Sequence, residues 1–190
     1  MKNFNSLQEA LQNPQNICII THKNPDGDAV GSSLALQLGL EKLGHKVTSI
    51  VPNDFPSFLK WVPKQSQILR YTDDKEKSDE AINNANLIFT LDFNSFSRCG
   101  DVAEQLQKVE TDFVMIDHHQ QPADYAKYMY SDVEMGSTCE MIYHFFEKMN
   151  MLKVLDQDIA SCIYLGIMTD TGSFRFPATT NTTHLVVSKL

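Results

Sequence analysis

A chain of 190 residues, 42% hydrophobic and 21% charged, carries enough apolar content for one globular domain with a sizeable core. The formal net charge of −8 argues against tracking along long DNA by bulk electrostatics. Positive charge for an anionic substrate must then be local, and bound metal is its obvious source. No run approaches the ~18 apolar residues of a membrane span, and Met1 to Ser6 lacks the apolar core of a secretory signal. Cys18, Cys99, Cys139 and Cys162 are widely spaced, without a Cys-x-x-Cys pair. Three of them lie in apolar runs, which predicts buried reduced thiols in a cytoplasmic protein.

Residues 6–13 read as a short amphipathic helix stopped by Pro14, followed by a strand over 17–21. The strand runs into Thr21 to Ser32, where Pro25-Asp26-Gly27 is turn chemistry. His22, Asp26 and Asp28 gather one imidazole and two carboxylates there. Asp28 falls at an N-cap or first-turn position, beside free backbone N–H groups. Capping explains Asp28 alone. The three together read as a site for a divalent cation, against the plainer alternative of an ordinary polar turn. Helix 29–43 carries Val30, Leu34 and Leu38 in one row and Leu36, Leu40 and Leu43 in another, so it should be buried on two sides and stop at Gly44.

Val47 to Val51 is the second strand. Residues 53–70, with Pro56 and Pro63, read as irregular: a loop packed by its own aromatics is favoured over a base-stacking surface. The run Asp73 to Lys77 predicts a solvated loop and helix start. Leu87 to Leu91, Asp112 to Ile116 and Lys127 to Ser131 predict three further strands, with helices near 75–85 and 98–109. The alternation predicts an α/β fold, a doubly wound, mainly parallel five-stranded sheet flanked by helices.

Ligands of such sheets bind at the carboxyl ends of the strands, near the switch in strand order. Strand one ends at His22, strand three at Asp92, and strand four at Asp117-His118-His119, so three of the six histidines lie on that edge. Chance polar strand ends would have to explain all of them at once. Further on, Ser137-x-x-Glu140 reads as a capping box before Ile142, Phe145, Phe146 and Met149 at helical spacing. Ser137 and Thr138 are candidate phosphate contacts at that helix N-terminus. The next helix, with Ile159, Cys162, Ile163, Gly166 and Ile167 on one face, runs into Asp170. A carboxylate there opposes the helix dipole by up to ~1 kcal/mol. Either Asp170 is a turn residue before Gly172 or a cation offsets the cost, and the other candidate ligands favour the cation.

His22-x-x-x-Asp26-x-Asp28, Asp92, Asp117-His118-His119 and Asp170, in that order, resemble the four signatures of the DHH phosphoesterase family, which includes RecJ-type nucleases and family II pyrophosphatases. Within it, Gly136-Ser137-Thr138-Cys139-Glu140 and Gly166 to Phe174 are similar to the branch that degrades nanoRNA and dephosphorylates phosphoadenosine phosphate. The resemblance implies that His22, Asp26 and Asp92 hold one Mn²⁺, with Mg²⁺ as the substitute. Asp28, Asp92, His118 and Asp170 would hold a second, the two ions sharing Asp92 and activating a water between them. His119 would act on the substrate side and Asp117 would orient a ring or merely end its strand. Arg98 would fork onto a phosphate or start a helix, and Phe174 is favoured as core over a base contact.

The implied activity is hydrolysis of short oligoribonucleotides, of 3′-phosphoadenosine 5′-phosphate, or of cyclic dinucleotides. A metal- and nucleotide-binding module with little turnover is the contrasting expectation. Pyrophosphate hydrolysis ranks lower, because few lysines or arginines sit beside the motifs. Residues 1–180 are expected to be the catalytic domain and 181–190 the start of an interdomain linker helix, with the family's second, Gly-Gly-Gly-His-bearing domain absent. A homodimer is left open.

Overall fold

Strands buried on both faces must be apolar along most of their length, as Ile17–Ile20, Leu87–Leu91 and Phe113–Ile116 are. In the computed structural model, which describes residues 1–190, α1 (Phe4–Ala10) leads into β1 (Asn16–Ile20), α2 (Gly27–Glu41) and β2 (Lys46–Val51). After β3 (Leu69–Arg70) come α3 (Lys75–Asn83), β4 (Leu87–Leu91), α4 (Val102–Leu106), β5 (Asp112–Asp117) and β6 (Tyr128–Ser131). Three helices close the chain: α5 (Thr138–Lys148), α6 (Gln157–Asp170) and α7 (Asn181–Val187). No helix is long and apolar enough to cross a membrane.

The strands form one sheet in the order β3-β2-β1-β4-β5-β6, and every pairing is parallel. The α/β class is as the sequence predicts, but the sheet has six strands where five were expected. The extra one, β3, is two residues long at the sheet edge, in the segment read as irregular. A pair of residues is too short to show any alternation, so only its pairing with Ile50 and Val51 defines it. The helix expected over 98–109 is also divided. A 3₁₀ turn over Phe96–Arg98 is cut from α4 by Gly100, whose φ of +59° interrupts the helix.

Side chains alternate between two cores. Ile17 and Ile19 of β1, Leu87, Phe89 and Leu91 of β4, and Val114 and Ile116 of β5 face the larger one, under α2, α5 and α6. Cys18, Ile20, Ile88, Phe113 and Met115 face the smaller one, under α3 and α4. Every residue of α2 from Gly27 to Leu40 is buried, matching its two-sided apolar pattern. All four cysteines are buried free thiols.

Helices α2 and α6 approach closely because small residues line their contact. A Cβ on Gly31 would come within 2.5 Å of the Cys162 carbonyl oxygen, and one on Gly27 within 2.5 Å of Thr169 Oγ1. On α6, a Cβ on Gly166 would lie 2.1 Å from Cys139 Sγ and 2.6 Å from Asp28 Oδ1. The Gly166→Ala substitution therefore overpacks this junction and should cost about 2 kcal/mol. Thermal unfolding should show the midpoint lowered by roughly 4–8 °C. An unchanged midpoint would mean that the helices can part without loss.

Candidate metal centre

The strand order reverses between β1 and β4, so the loops leaving these two strands open the crevice in which such sheets bind ligands. His22 follows β1 and Asp92 follows β4. Asp92 adopts a left-handed backbone, φ +65°, which aspartate tolerates better than most residues. The turn ends the strand and leaves the carboxylate buried between imidazoles. Asp92 Oδ2 lies 3.3 Å from His22 Nε2, and Asp92 Oδ1 lies 3.5 Å from His118 Nε2. The two oxygens of one carboxylate thus face two different rings.

Each ring is oriented from behind. The Nδ1 of His22 lies 2.9 Å from the Lys23 carbonyl oxygen, and that of His118 lies 3.2 Å from the Met135 carbonyl oxygen. With Nδ1–H donated to a carbonyl, Nε2 is the atom left for a ligand.

Three acids complete the cluster. Asp26 is the N-cap of α2: its Oδ1 accepts from the N–H groups of Asp28 and Ala29, and it lies 3.9 Å from His22 Nε2. The capping role therefore belongs to Asp26, and Asp28 occupies the first turn of the helix. Asp28 Oδ2 lies 4.0 Å and Asp170 Oδ2 3.3 Å from His118 Nε2. Asp170 is the last residue of α6, at the unfavourable end of its dipole. The six candidate side chains thus fall into His22–Asp26–Asp92 and Asp28–His118–Asp170, with Asp92 adjoining both.

The fully buried Asp28 accepts the backbone N–H groups of Thr138 at 2.6 Å and Cys139 at 2.8 Å, at the N-terminus of α5. Thr138 also donates its hydroxyl to Asp92 Oδ1 at 3.1 Å. Sequence reasoning missed this support. The Ser-Thr-Cys start of a helix signals that an anion is held there, but nothing local says that the anion is Asp28, 110 residues away. The Ser137 hydroxyl accepts from Glu140 N–H, as a cap should. The Glu140 carboxylate accepts instead from Thr183 of α7, so the second half of the expected capping box is not made.

At the outer edge, His119 Nδ1 lies 2.7 Å from Asp117 Oδ1, and its backbone N–H donates to the other oxygen of the same buried acid. The ring is about a third exposed. Arg98 sits in the 3₁₀ turn after β4 with no acidic partner, and its carbonyl accepts from Lys23 N–H at 2.8 Å. Phe174 is half-buried, packed against the edge of the larger core beside Tyr164 and His184.

Burial would lower the pKa of His22, but hydrogen bonding and charge from Asp92 outweigh it and raise the ring to about 9. His118 is raised to about 9 in the same way, by Asp92 first and then by Asp28 and Asp170. Asp28 is pushed well above the usual carboxylate range by burial, then by the charges of Asp92 and Asp170. Burial and Asp92 raise Asp170 to about 6. Burial opposes the ionised form of Asp92 too, yet its bonds to His118 and His22 hold it below the normal range.

Residues 16–167 match the DHH family, N-terminal domain. The chain belongs to the DHH family. It is 34% identical, over 172 residues, to a Thermus thermophilus protein described as a bifunctional oligoribonuclease and PAP phosphatase NrnA, a match covering 90% of this chain and 48% of that one. A solved exopolyphosphatase-related protein from Bacteroides fragilis superposes with a TM-score of 0.95 at 34% identity, over 98% of this chain and 55% of the other. A structure of exonuclease RecJ bound to manganese shares the fold, with a TM-score of 0.58 at 16% identity over 98% of this chain and 45% of RecJ. The chain spans about half the length of the curated relatives it matches.

A donor set of four carboxylates and two imidazoles suits a hard or borderline divalent ion, and the buried acids have a surplus of negative charge for it to neutralise. Imidazole binds metal only as the neutral base. At pH 7 the metal-free rings, near 9, are protonated, so each must shed a proton on loading. Affinity for the ion held by His22, Asp26 and Asp92 should therefore rise about tenfold per pH unit between pH 6 and 8, and that for the other more steeply, because the raised Asp28 must shed its proton along with His118. Calorimetric titration with Mn²⁺, in buffers of different ionisation enthalpy, would read both the slope and the released protons. A flat profile would show the rings already neutral.

Proposed function

We propose that this chain is the catalytic unit of a metal-dependent phosphoesterase acting on short oligoribonucleotides, 3′-phosphoadenosine 5′-phosphate, or both. The observation that carries the reading is Asp92, whose two oxygens face two ring nitrogens in two adjoining acid clusters. The relatives' printed activities and the RecJ structure with manganese favour the substrates and Mn²⁺, with Mg²⁺ as substitute.

In this reading His22, Asp26 and Asp92 hold one ion, and Asp28, Asp92, His118 and Asp170 the other. When bound, such a pair supplies Lewis-acid neutralisation of phosphate oxygens and acidifies water enough for attack near neutral pH. The remaining work falls to the protein. Thr138 and Cys139 fix Asp28 through their N–H groups, and the Thr138 hydroxyl fixes Asp92. Ser137 and Thr138 are fully buried, so they serve the site by holding the α5 N-terminus and the acids in place. Asp117 ties down the Nδ1 side of His119, leaving Nε2 to hand a proton to the leaving oxygen. Arg98, free of acidic neighbours, supplies a planar fork for a phosphate.

Asp92→Asn keeps a residue that accepts the left-handed backbone but removes the charge both clusters share. Hydrolysis of a diribonucleotide with Mn²⁺ should fall by at least about 10³-fold, several kcal/mol of barrier. Retention of wild-type turnover would sink the shared-ligand role. His119→Ala should lower kcat by roughly 10²- to 10⁴-fold and leave metal affinity in place.

A further inference from the structure

Just past the centre, the backbone does something unusual. Gly172, Ser173 and Phe174 are consecutive left-handed residues, with φ of +56°, +60° and +64°. Glycine takes this conformation freely; serine and phenylalanine do not, and such strained segments cluster at ligand sites. The turn is held firmly. Phe174 N–H donates to Thr171 Oγ1, Ser173 N–H to the Met168 carbonyl, and the N–H groups of Arg175 and Phe176 both to the Thr171 carbonyl at 3.0 Å. Arg175 Nε adds a bond of 2.7 Å to the Gly172 carbonyl.

The turn sends its two phenylalanines to different places. Phe174 is packed with Tyr164 and His184, whereas Phe176 is 53% exposed. Its ring lies over Gly172, so close that a Cβ there would meet a ring atom at 2.5 Å. Gly172 is thus required twice, by its φ and by the seat it makes for the ring. The position is also telling. Phe176 is tied to Thr171, the neighbour of Asp170, whose carboxylate lies 3.3 Å from His118 Nε2. The chain then returns with the Ala178 carbonyl against Gly136, next to the Met135 carbonyl that orients His118. A braced, solvent-facing aromatic ring therefore stands on the turn that follows Asp170. Beside it the Arg175 guanidinium has no acidic partner and keeps its terminal nitrogens free.

We propose that Phe176, seated on Gly172 beside Asp170, is a stacking platform for the nucleobase of the bound nucleotide. The inference rests on the phosphoesterase reading and adds a specificity determinant to it: the site prefers phosphate esters that carry a base. Stacking uses the π-face common to every base, so the preference should extend to all four nucleotides. Arg175 is a positioning residue that braces the turn through Gly172.

The test is binding of a diribonucleotide containing 2-aminopurine, with Mg²⁺ present, read by fluorescence, alongside KM and kcat for an unmodified diribonucleotide. Wild type should quench the probe on binding. Phe176→Ala should abolish the quench and weaken binding about 5- to 100-fold, the change appearing in KM more than in kcat. Phe176→Trp should restore both, which a merely structural role would not predict. Full quenching and unchanged affinity in Phe176→Ala would overturn the platform while leaving the metal centre intact. Failure of the wild-type protein to bind the probe at all would instead overturn the oligoribonucleotide reading, and this inference with it.

Discussion

Asp28 is a carboxylate with no exposed surface, and burying such a group without partners is prohibitively unfavourable. The junction of three helices is arranged around meeting that demand. Asp28 sits in the first turn of α2, and α5 begins directly against it, turning two free N–H groups onto its oxygens. Helix α6 must pass close enough to bring Asp170 to the same place, which is possible because Gly166 leaves room for the acid and for Cys139. The glycines at the helix contact are therefore part of the site.

The same packing concentrates charge to a degree that a folded protein ordinarily avoids. Asp28, Asp92 and Asp170 lie within a few ångströms of His118, and Asp92 also faces His22. Without a cation, protons balance the cluster: both imidazoles are held in the charged form, and Asp28 and Asp170 are raised toward the neutral form by burial and then by the charge of Asp92. Protons and divalent ions thus answer the same electrostatic need. The left-handed backbone at Asp92 fits this picture, because its strain persists only where surrounding contacts over-determine it.

Half of the sixteen basic residues are engaged in ion pairs. Lys2, Lys42, Lys60, Arg70, Lys75, Lys77, Lys108 and Lys127 each pair with a carboxylate. These pairs are largely exposed, and such pairs contribute at most about 1 kcal/mol each. Lys23 and Arg98, on loops at the carboxyl edge of the sheet, make no such pair, and neither does Arg175 in the turn beyond α6. Lys46, Lys64, Lys148, Lys153 and Lys189 are unpaired as well, so free cations are not confined to the acid cluster, but in a chain of net charge −8 Lys23 and Arg98 supply local positive charge on the edge that carries it.

The sequence by itself determined the α/β class, the buried helix α2 and the placement of His22, Asp92 and the Asp117-His118-His119 run at strand ends. All of these follow from local periodicity and turn chemistry, which act over a few residues. It could not show β3, whose two residues carry no pattern, nor the break at Gly100, which depends on a single backbone angle. The convergence of six side chains from four parts of the chain, the grip of Thr138 and Cys139 on Asp28, and the split between a packed Phe174 and an exposed Phe176 were decided by tertiary structure alone. Each joins groups far apart in sequence or sets a side chain against a distant neighbour, and only the strand order and the close crossing of α2 and α6 bring such partners within reach.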